Sequence, residues 1–178
     1  MNTFTELAKK RRSIRTFTEK ELTQEQVVEL IKAALLAPSS KSARPWNFIL
    51  VDDKNLLHQL SECKPAVARL IEGAPLAIVV TADPAASDVW IEDTSVASTM
   101  LLLQAEDLGL GGCWVQVRNR TREDGTPAAD IVREVLNIPS QQEVLSIIAV
   151  GYKALERKAV DESKLCWEKV HTNTFRAE

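Results

Sequence analysis

Ala37-Pro38-Ser39-Ser40-Lys41-Ser42-Ala43-Arg44-Pro45-Trp46-Asn47-Phe48 is the stretch whose reading orders the rest of the chain, because it separates a helix from a strand. Upstream, Thr23 and Gln26 have capping-box spacing, and Leu22 and Val27 can staple the helix entry. Val27, Leu30, Ile31, Ala34 and Leu35 then recur at the interval of a single buried helical face. Pro38 stops that helix, since it cannot donate a backbone hydrogen bond and pushes the preceding residue toward extended geometry. Residues 39–42 form a polar loop. Downstream, Trp46–Val51 alternates and is rich in β-formers, so it reads as a strand.

The same logic extends to both ends. Phe4–Lys10 is a short helix, residues 54–63 and 65–72 are two more, and residues 76–81 are a buried strand. Residues 88–108 read as a long helix, apolar nearly all round through Val96, Ala97, Met100, Leu101, Leu103, Ala105 and Leu108. Such a helix belongs in a core or a subunit interface. Gly109 and Gly111 close it. Residues 113–117 are a third strand, residues 127–136 an amphipathic helix, and residues 144–152 a fourth strand. This mixed order predicts an α+β sandwich around one sheet, as a single domain over residues 1–178. Residues 153–178 form a polar extension, yet it carries Leu165, Trp167, Val170 and Phe175. Those side chains need a surface, and a partner subunit is the natural receiver.

With 178 residues, 45% hydrophobic and 26% charged, the chain has the balance of an ordinary globular protein. A net charge of −3 argues against nucleic acid as a partner. No apolar run reaches membrane-spanning length, and the first ten residues do not read as a secretory signal. Cys63, Cys113 and Cys166 are odd in number and form no CxxC pair, which reads as reduced thiols in a cytoplasm. His58 and His171 share no metal-like spacing with a carboxylate or thiol, so no metal is expected.

Arg11-Arg12-Ser13-Ile14-Arg15 is the other notable cluster. Arginine forks match phosphate oxygens at two points, and a serine hydroxyl adds a neutral hydrogen bond. A phosphate monoester suits this set. The run can equally be a solvated basic turn before a helix, or a short nucleic-acid patch.

The arginine segment with Phe17 close behind, a helix, and then Ala37-Pro38-Ser39-Ser40 with Pro45-Trp46-Asn47-Phe48 leading into a strand together resemble the nitroreductase family. Gly109-Leu110-Gly111-Gly112-Cys113-Trp114 is similar to that family's turn after its long central helix. Val150-Gly151-Tyr152, with Arg157 and Lys158, resembles its C-terminal flavin-phosphate segment. The motifs fall in the family's order and span nearly the whole chain.

The resemblance implies a three-layer sandwich with a mainly antiparallel sheet, and an extension embracing the partner subunit. It also implies tightly bound FMN at the interface of a homodimer, with NAD(P)H as electron donor. Arg11, Ser13 and Arg15 would hold the phosphate, ribityl chain and pyrimidine edge, with Arg12 alongside. Pro38, Ser39 and Ser40 would meet the ring from the other subunit. Gln116 would offer its backbone N–H near flavin N5, Trp114 would sit close to the ring, and Arg157 or Lys158 would complete the phosphate site. A cationic group near the pyrimidine edge, Arg15 here, stabilises negative charge on the reduced ring. The chain departs from the family pattern at Ser42, Ala43 and Arg44, where many relatives carry Asn and Gln. It departs again at Val117, where some carry glycine.

Hydride chemistry belongs to the cofactor, so no side chain need act as a nucleophile, and the chain lacks GxSxG. Gly109 to Gly112 closes a helix rather than opening one, so it is a cap and not a dinucleotide fingerprint. With no nicotinamide domain, NAD(P)H and the acceptor would share one pocket by a ping-pong mechanism. Glu92 and Asp93 read as complements to the positive end of the long helix. Trp46 and Trp90 read as packing residues, Trp90 also as a possible wall of the substrate mouth. Residues 83–88 and 118–126 are the lid candidates. The expected reaction reduces a small electron-poor acceptor such as a nitroaromatic or quinone. The alternatives are a reductive dehalogenase-like or flavin-consuming enzyme of the same fold, or a flavin-binding module without turnover.

Overall fold

The computed structural model describes residues 3–175; residues 1–2 and 176–178, including the last three positions of the expected extension, lie outside the described residues. Six α-helices and four strands follow in the order α1 (Phe4–Lys10), α2 (Gln24–Leu35), β1 (Trp46–Val51), α3 (Lys54–Ser61), α4 (Pro65–Ala68), β2 (Leu76–Ala82), α5 (Trp90–Asp107), β3 (Gly111–Gln116), α6 (Ala128–Leu136) and β4 (Glu143–Gly151). The capping box of α2 forms in both directions. The Gln26 N–H donates to Thr23 Oγ1 at 3.3 Å, and the Thr23 N–H donates to Gln26 Oε1 at 3.0 Å.

The sheet has the order β1-β2-β4-β3, with every neighbouring pair antiparallel. All seven residues of β2 are buried. Because successive side chains point to opposite faces, Ala77 and Val79 enter one apolar cluster while Leu76, Ile78 and Val80 enter another. The first cluster also takes Leu57 and Leu60 of α3, Ala68 of α4 and Val132 of α6. The second takes Leu30 and Ala34 of α2, and Leu101 and Ala105 of α5. The sheet is therefore covered on both faces, the three-layer α+β sandwich that the sequence implies.

Several boundaries differ from expectation. Residues 65–72 hold only the four-residue α4, followed by turns. The apolar face of α2 centres on Leu30, Ala33 and Ala34, and Leu35 is 55% exposed. At 3.6 residues per turn, Leu35 lies about 140° round the helix from Leu30. Helix α5 is not apolar all round. Its buried side is Asp93, Thr94, Ala97, Ser98, Leu101 and Ala105, and Val96 points outward. The Thr94 and Ser98 hydroxyls are satisfied by donating to the carbonyls of Trp90 and Thr94, so small polar residues can lie in the interface with the sheet.

Gly109, at φ +73°, closes α5 as expected, but Gly111 does not cap it. Gly111 opens β3, and a Cβ there would stand 2.7 Å from the Cβ of Ile14. Its missing side chain admits a neighbouring segment rather than a left-handed turn.

Candidate flavin site along the edge of the sheet

That neighbouring segment is the arginine cluster. Ser13 forms a parallel bridge with Gly112, and the Ile14 N–H donates to the Gly112 carbonyl at 3.0 Å. Ile14 is buried and anchors the run, leaving Arg11, Arg12 and Ser13 half-buried and Arg15 exposed. None of the three guanidinium groups has a carboxylate partner among the described residues. Their charge reaches the neighbouring strand. Burial raises the Cys113 thiol above its ordinary range, while Arg15 and Arg11 pull it the other way. Unneutralised arginines beside an edge strand are suited to an anionic ligand.

The C-terminal basic pair arrives at the same place. Arg12 Nη1 donates to the Lys158 carbonyl at 3.0 Å. The Val160 N–H donates to the Lys9 carbonyl, and Lys9 pairs with Glu162 at 2.6 Å. The start of the extension thus lies on α1 of its own chain, bringing Arg157 and Lys158 to Arg12. Both basic side chains are exposed.

Trp114 and Gln116 lie further along β3. In an antiparallel ladder, successive residues turn their N–H and C=O alternately toward and away from the partner strand. Gly112 gives its carbonyl to Ile14, away from β4, so Trp114 and Gln116 also turn their backbone groups to the open edge. From Gly112 to Gln116 the strand rises about 13 Å. One edge therefore presents cations at one end and free backbone donors at the other. Trp114 Nε1 donates to Gln116 Oε1 at 2.9 Å, and Gln116 Nε2 donates to the Arg118 carbonyl at 2.9 Å.

The serine loop lies elsewhere in the same chain. Ser40–Ser42 forms a single 3-10 turn, with Lys41, Ser42 and Arg44 in the left-handed region at φ 51°, 55° and 48°. Such geometry costs about 1 kcal/mol per non-glycine residue or more. Two anchors hold it. The Ser40 N–H donates to Asp93 Oδ1 at 2.8 Å, and the Arg44 N–H donates to Ser39 Oγ at 3.0 Å. Asp93 is buried and its other oxygen accepts from the Ser87 hydroxyl at 2.7 Å. Pro38 is exposed, and Ser39 and Ser40 are half-buried. The loop sits at the N-terminal end of α5, whereas the arginine segment joins β3 just past its C-terminal end. Eighteen helical residues span about 27 Å.

The structure therefore brings Arg11, Arg12, Ser13, Arg15, Arg157 and Lys158 to one end of β3, and Trp114 and Gln116 to the other. Within one chain it keeps Pro38, Ser39 and Ser40 apart from the arginines. Asp93 is the residue whose part the sequence reading missed. Its position in the first turn of a helix signals a dipole complement, and burial makes it an anchor for the loop instead. Trp90 does line a cleft, together with the segment after β3.

The nitroreductase family model matches residues 8–72 and 64–152. A solved structure of an FMN-dependent nitroreductase from Clostridium difficile R20291 is 49% identical, covering 95% of this chain and 98% of that one, with a TM-score of 0.92. A protein of Archaeoglobus fulgidus named NADH dehydrogenase/NAD(P)H nitroreductase is 38% identical over 151 residues, 83% of either chain. An iodotyrosine deiodinase of Thermotoga neapolitana is 26% identical over 175 residues, covering 83% of this chain and 87% of that one. The sheet edge, its arginines and these matches lead to one conclusion: this chain belongs to the nitroreductase family of oxidoreductases.

Proposed function

We propose that the chain works as a homodimer holding FMN at the subunit interface, and that it passes electrons from NAD(P)H to a small electron-poor acceptor such as a nitroaromatic or quinone. The observation that carries this reading is the edge of β3, with guanidinium groups that have no carboxylate partner among the described residues at the Gly112 end and outward backbone donors at Trp114 and Gln116. That donor set fits a flavin mononucleotide, which needs cations for its phosphate and backbone hydrogen bonds for its ring.

Arg11, Arg12 and Ser13, completed by Arg157 or Lys158, bind the phosphate and ribityl chain, and Arg15 faces the pyrimidine edge. Gln116 and Trp114 orient the ring through the free edge of the sheet. Ser39 and Ser40 of the partner subunit, with Pro38 of the partner subunit, cover the ring, the arrangement that the resemblance to the family implies. When bound, FMN supplies the hydride chemistry. Donor and acceptor then take turns in one pocket, which gives ping-pong kinetics.

The test is purification followed by an absorbance spectrum and scans of NADH and NADPH oxidation across nitro, quinone and flavin acceptors. A yellow dimer with parallel initial-rate lines supports the reading. Intersecting lines count against the ping-pong order, and a colourless monomer that ignores added FMN ends the proposal. Replacing Arg11 and Arg15 with alanine together strips the cofactor; stoichiometric FMN in that variant refutes the phosphate assignment.

A second reading is reductive dehalogenation. The similarity to the Thermotoga neapolitana deiodinase supports it, as does a serine loop carrying Ser42, Ala43 and Arg44. Release of iodide from an iodinated phenol, faster than reduction of any nitro or quinone acceptor, would favour it. Bound flavin with no NAD(P)H oxidation would favour a module without turnover.

A further inference from the structure

We propose that the cleft beyond the end of β3 selects acceptors carrying an acidic substituent on an aromatic ring, with Trp90 as the ring platform and Arg118 and Arg120 as the cationic pair. This rests on the flavin reading above, which puts the reacting ring beside Gln116, and it names the substrate class of that site.

The cleft has a volume of about 570 Å³, within the range of small-molecule sites. Its walls include Trp90, Val117, Arg118, Arg120, Asp130 and Arg133. The charges within it are not balanced. The walls carry three arginines against two acids, one positive charge in excess, and both acids pair with Arg133, Asp130 at 2.9 Å and Glu143 at 2.9 Å. Arg118 and Arg120 have no ion pair among the described residues. Two cationic side chains therefore remain for an anion from solution.

The segment carrying them is built, not loose. The Arg120 N–H donates to the Val117 carbonyl at 3.1 Å, closing a tight turn with Asn119 in the left-handed region at φ 56°. Asparagine adopts that geometry more readily than most residues. The Arg118 N–H donates to the Leu145 carbonyl at 3.0 Å, and the Arg118 carbonyl accepts from Gln116 Nε2. The turn is thus tied to the strand end that would meet the flavin ring.

Trp90 supplies the apolar half. It is half-buried at the start of α5, and the Arg118 guanidinium carbon lies 5.7 Å from its ring centroid. A guanidinium stacked on an indole has its orientation restricted and can still donate at its rim. A planar acid can pack against the part of the indole that Arg118 leaves open and present its carboxylate to Arg118 and Arg120. Neutral acceptors of the same size gain only the apolar contact.

The test has two arms. In the first, benzoate is titrated calorimetrically into the purified protein and into R118Q/R120Q. Saturable binding weakened tenfold or more in the variant is expected, while no binding, or equal binding, overturns the proposal whether or not flavin is present. In the second, kcat/KM is compared for 4-nitrobenzoate and the neutral 4-nitrobenzamide. The native protein should favour the acid by about tenfold, and the variant should bring the ratio to near parity. A loss falling equally on both acceptors, or on NADPH and not on NADH, overturns the assignment; the latter would give the arginines to the cofactor's phosphate. A colourless protein that still binds benzoate through these arginines refutes the flavin reading alone.

Discussion

Asp93 Oδ1 accepts the backbone N–H of Ser40 at 2.8 Å, joining the first turn of α5 to the loop that precedes β1. The carboxylate is 5% exposed and its second oxygen holds the Ser87 hydroxyl. A strained loop with three left-handed side-chain-bearing residues is thereby given a single arrangement.

Asp93→Ala leaves the part-buried Ser40 N–H and the buried Ser87 hydroxyl without their acceptor, at a cost of about 1–3 kcal/mol in all. Asp93→Asn keeps one acceptor oxygen and should cost less. Urea denaturation checks the order. Because the loop covers the partner's flavin in the reading above, Asp93→Ala should also weaken FMN binding roughly tenfold in a flavin-fluorescence titration. Unaltered affinity would show that the loop does not reach the ring.

Gly111 faces the side chain of Ile14, and a Cβ at that position meets the Ile14 Cβ, Cγ1 and Cγ2 at 2.7 to 2.8 Å. The Cβ of Ile14 is fixed to its backbone and cannot rotate away, so Gly111→Ala must move the Arg11–Arg15 backbone off β3. We expect a loss of about 1–3 kcal/mol in stability together with loss of yellow colour. Ile14→Val retains all three carbons and should cost only about 1 kcal/mol and keep its flavin. Equal colour in the two variants would separate the bridge from cofactor binding.

These two contacts also mark how far the sequence could be read. Thr23 and Gln26 announced α2 because a capping box is local chemistry, and Pro38 announced its end for the same reason. The alternation in Trp46–Val51 gave a strand, and the family's motifs gave the layers. What could not be read depends on distant pairs. Whether Gly111 is a cap or a place of close approach depends on Ile14, far away in the chain. Asp93 looks like a dipole complement until Ser40 and Ser87 are seen to converge on it. Spacing groups Leu35 with Leu30, yet it faces outward because the buried face is narrower than the pattern. The turn that aims Arg118 and Arg120 into one cleft has only Asn119 as its signal.

Lys153 and Glu106 form a buried ion pair at 2.8 Å, with side chains 9% and 8% exposed. Lys153 also bridges Phe17, so the pair supports the return of the arginine segment to the sheet. Burial alone would pull the Lys153 ammonium down, but the hydrogen bond and charge of Glu106, with help from Glu156, hold it above the ordinary 10.5. A group whose folded value is raised contributes its stability fully below the unfolded value and loses it as pH rises through the folded one. The native protein should therefore weaken above about pH 10.5, and Glu106→Gln should lessen that alkaline slope in urea midpoints. At neutral pH, Glu106→Gln should cost about 1–3 kcal/mol, because it removes the nearer of the ammonium's two counter-charges and leaves Glu156 at 3.4 Å.

The end of the extension gives the clearest test of assembly. Trp167, Val170 and Phe175 are 70%, 64% and 80% exposed in a single chain, although the preceding residues are tied to α1. Aromatic side chains bury 150–250 Å² each when covered, about 4–6 kcal/mol by area before the entropy of ordering the tail is subtracted. If a second copy covers them, Trp167→Lys should cost the dimer about 2 kcal/mol or more, roughly thirtyfold in Kd, without altering the fold of either chain. Sedimentation equilibrium across a dilution series reads the constant, and far-ultraviolet circular dichroism confirms that the chains remain folded. An unchanged dimer constant in both Trp167→Lys and Phe175→Lys would mean that the tail's apolar groups face solvent in the assembly, and that the subunits meet through other surfaces.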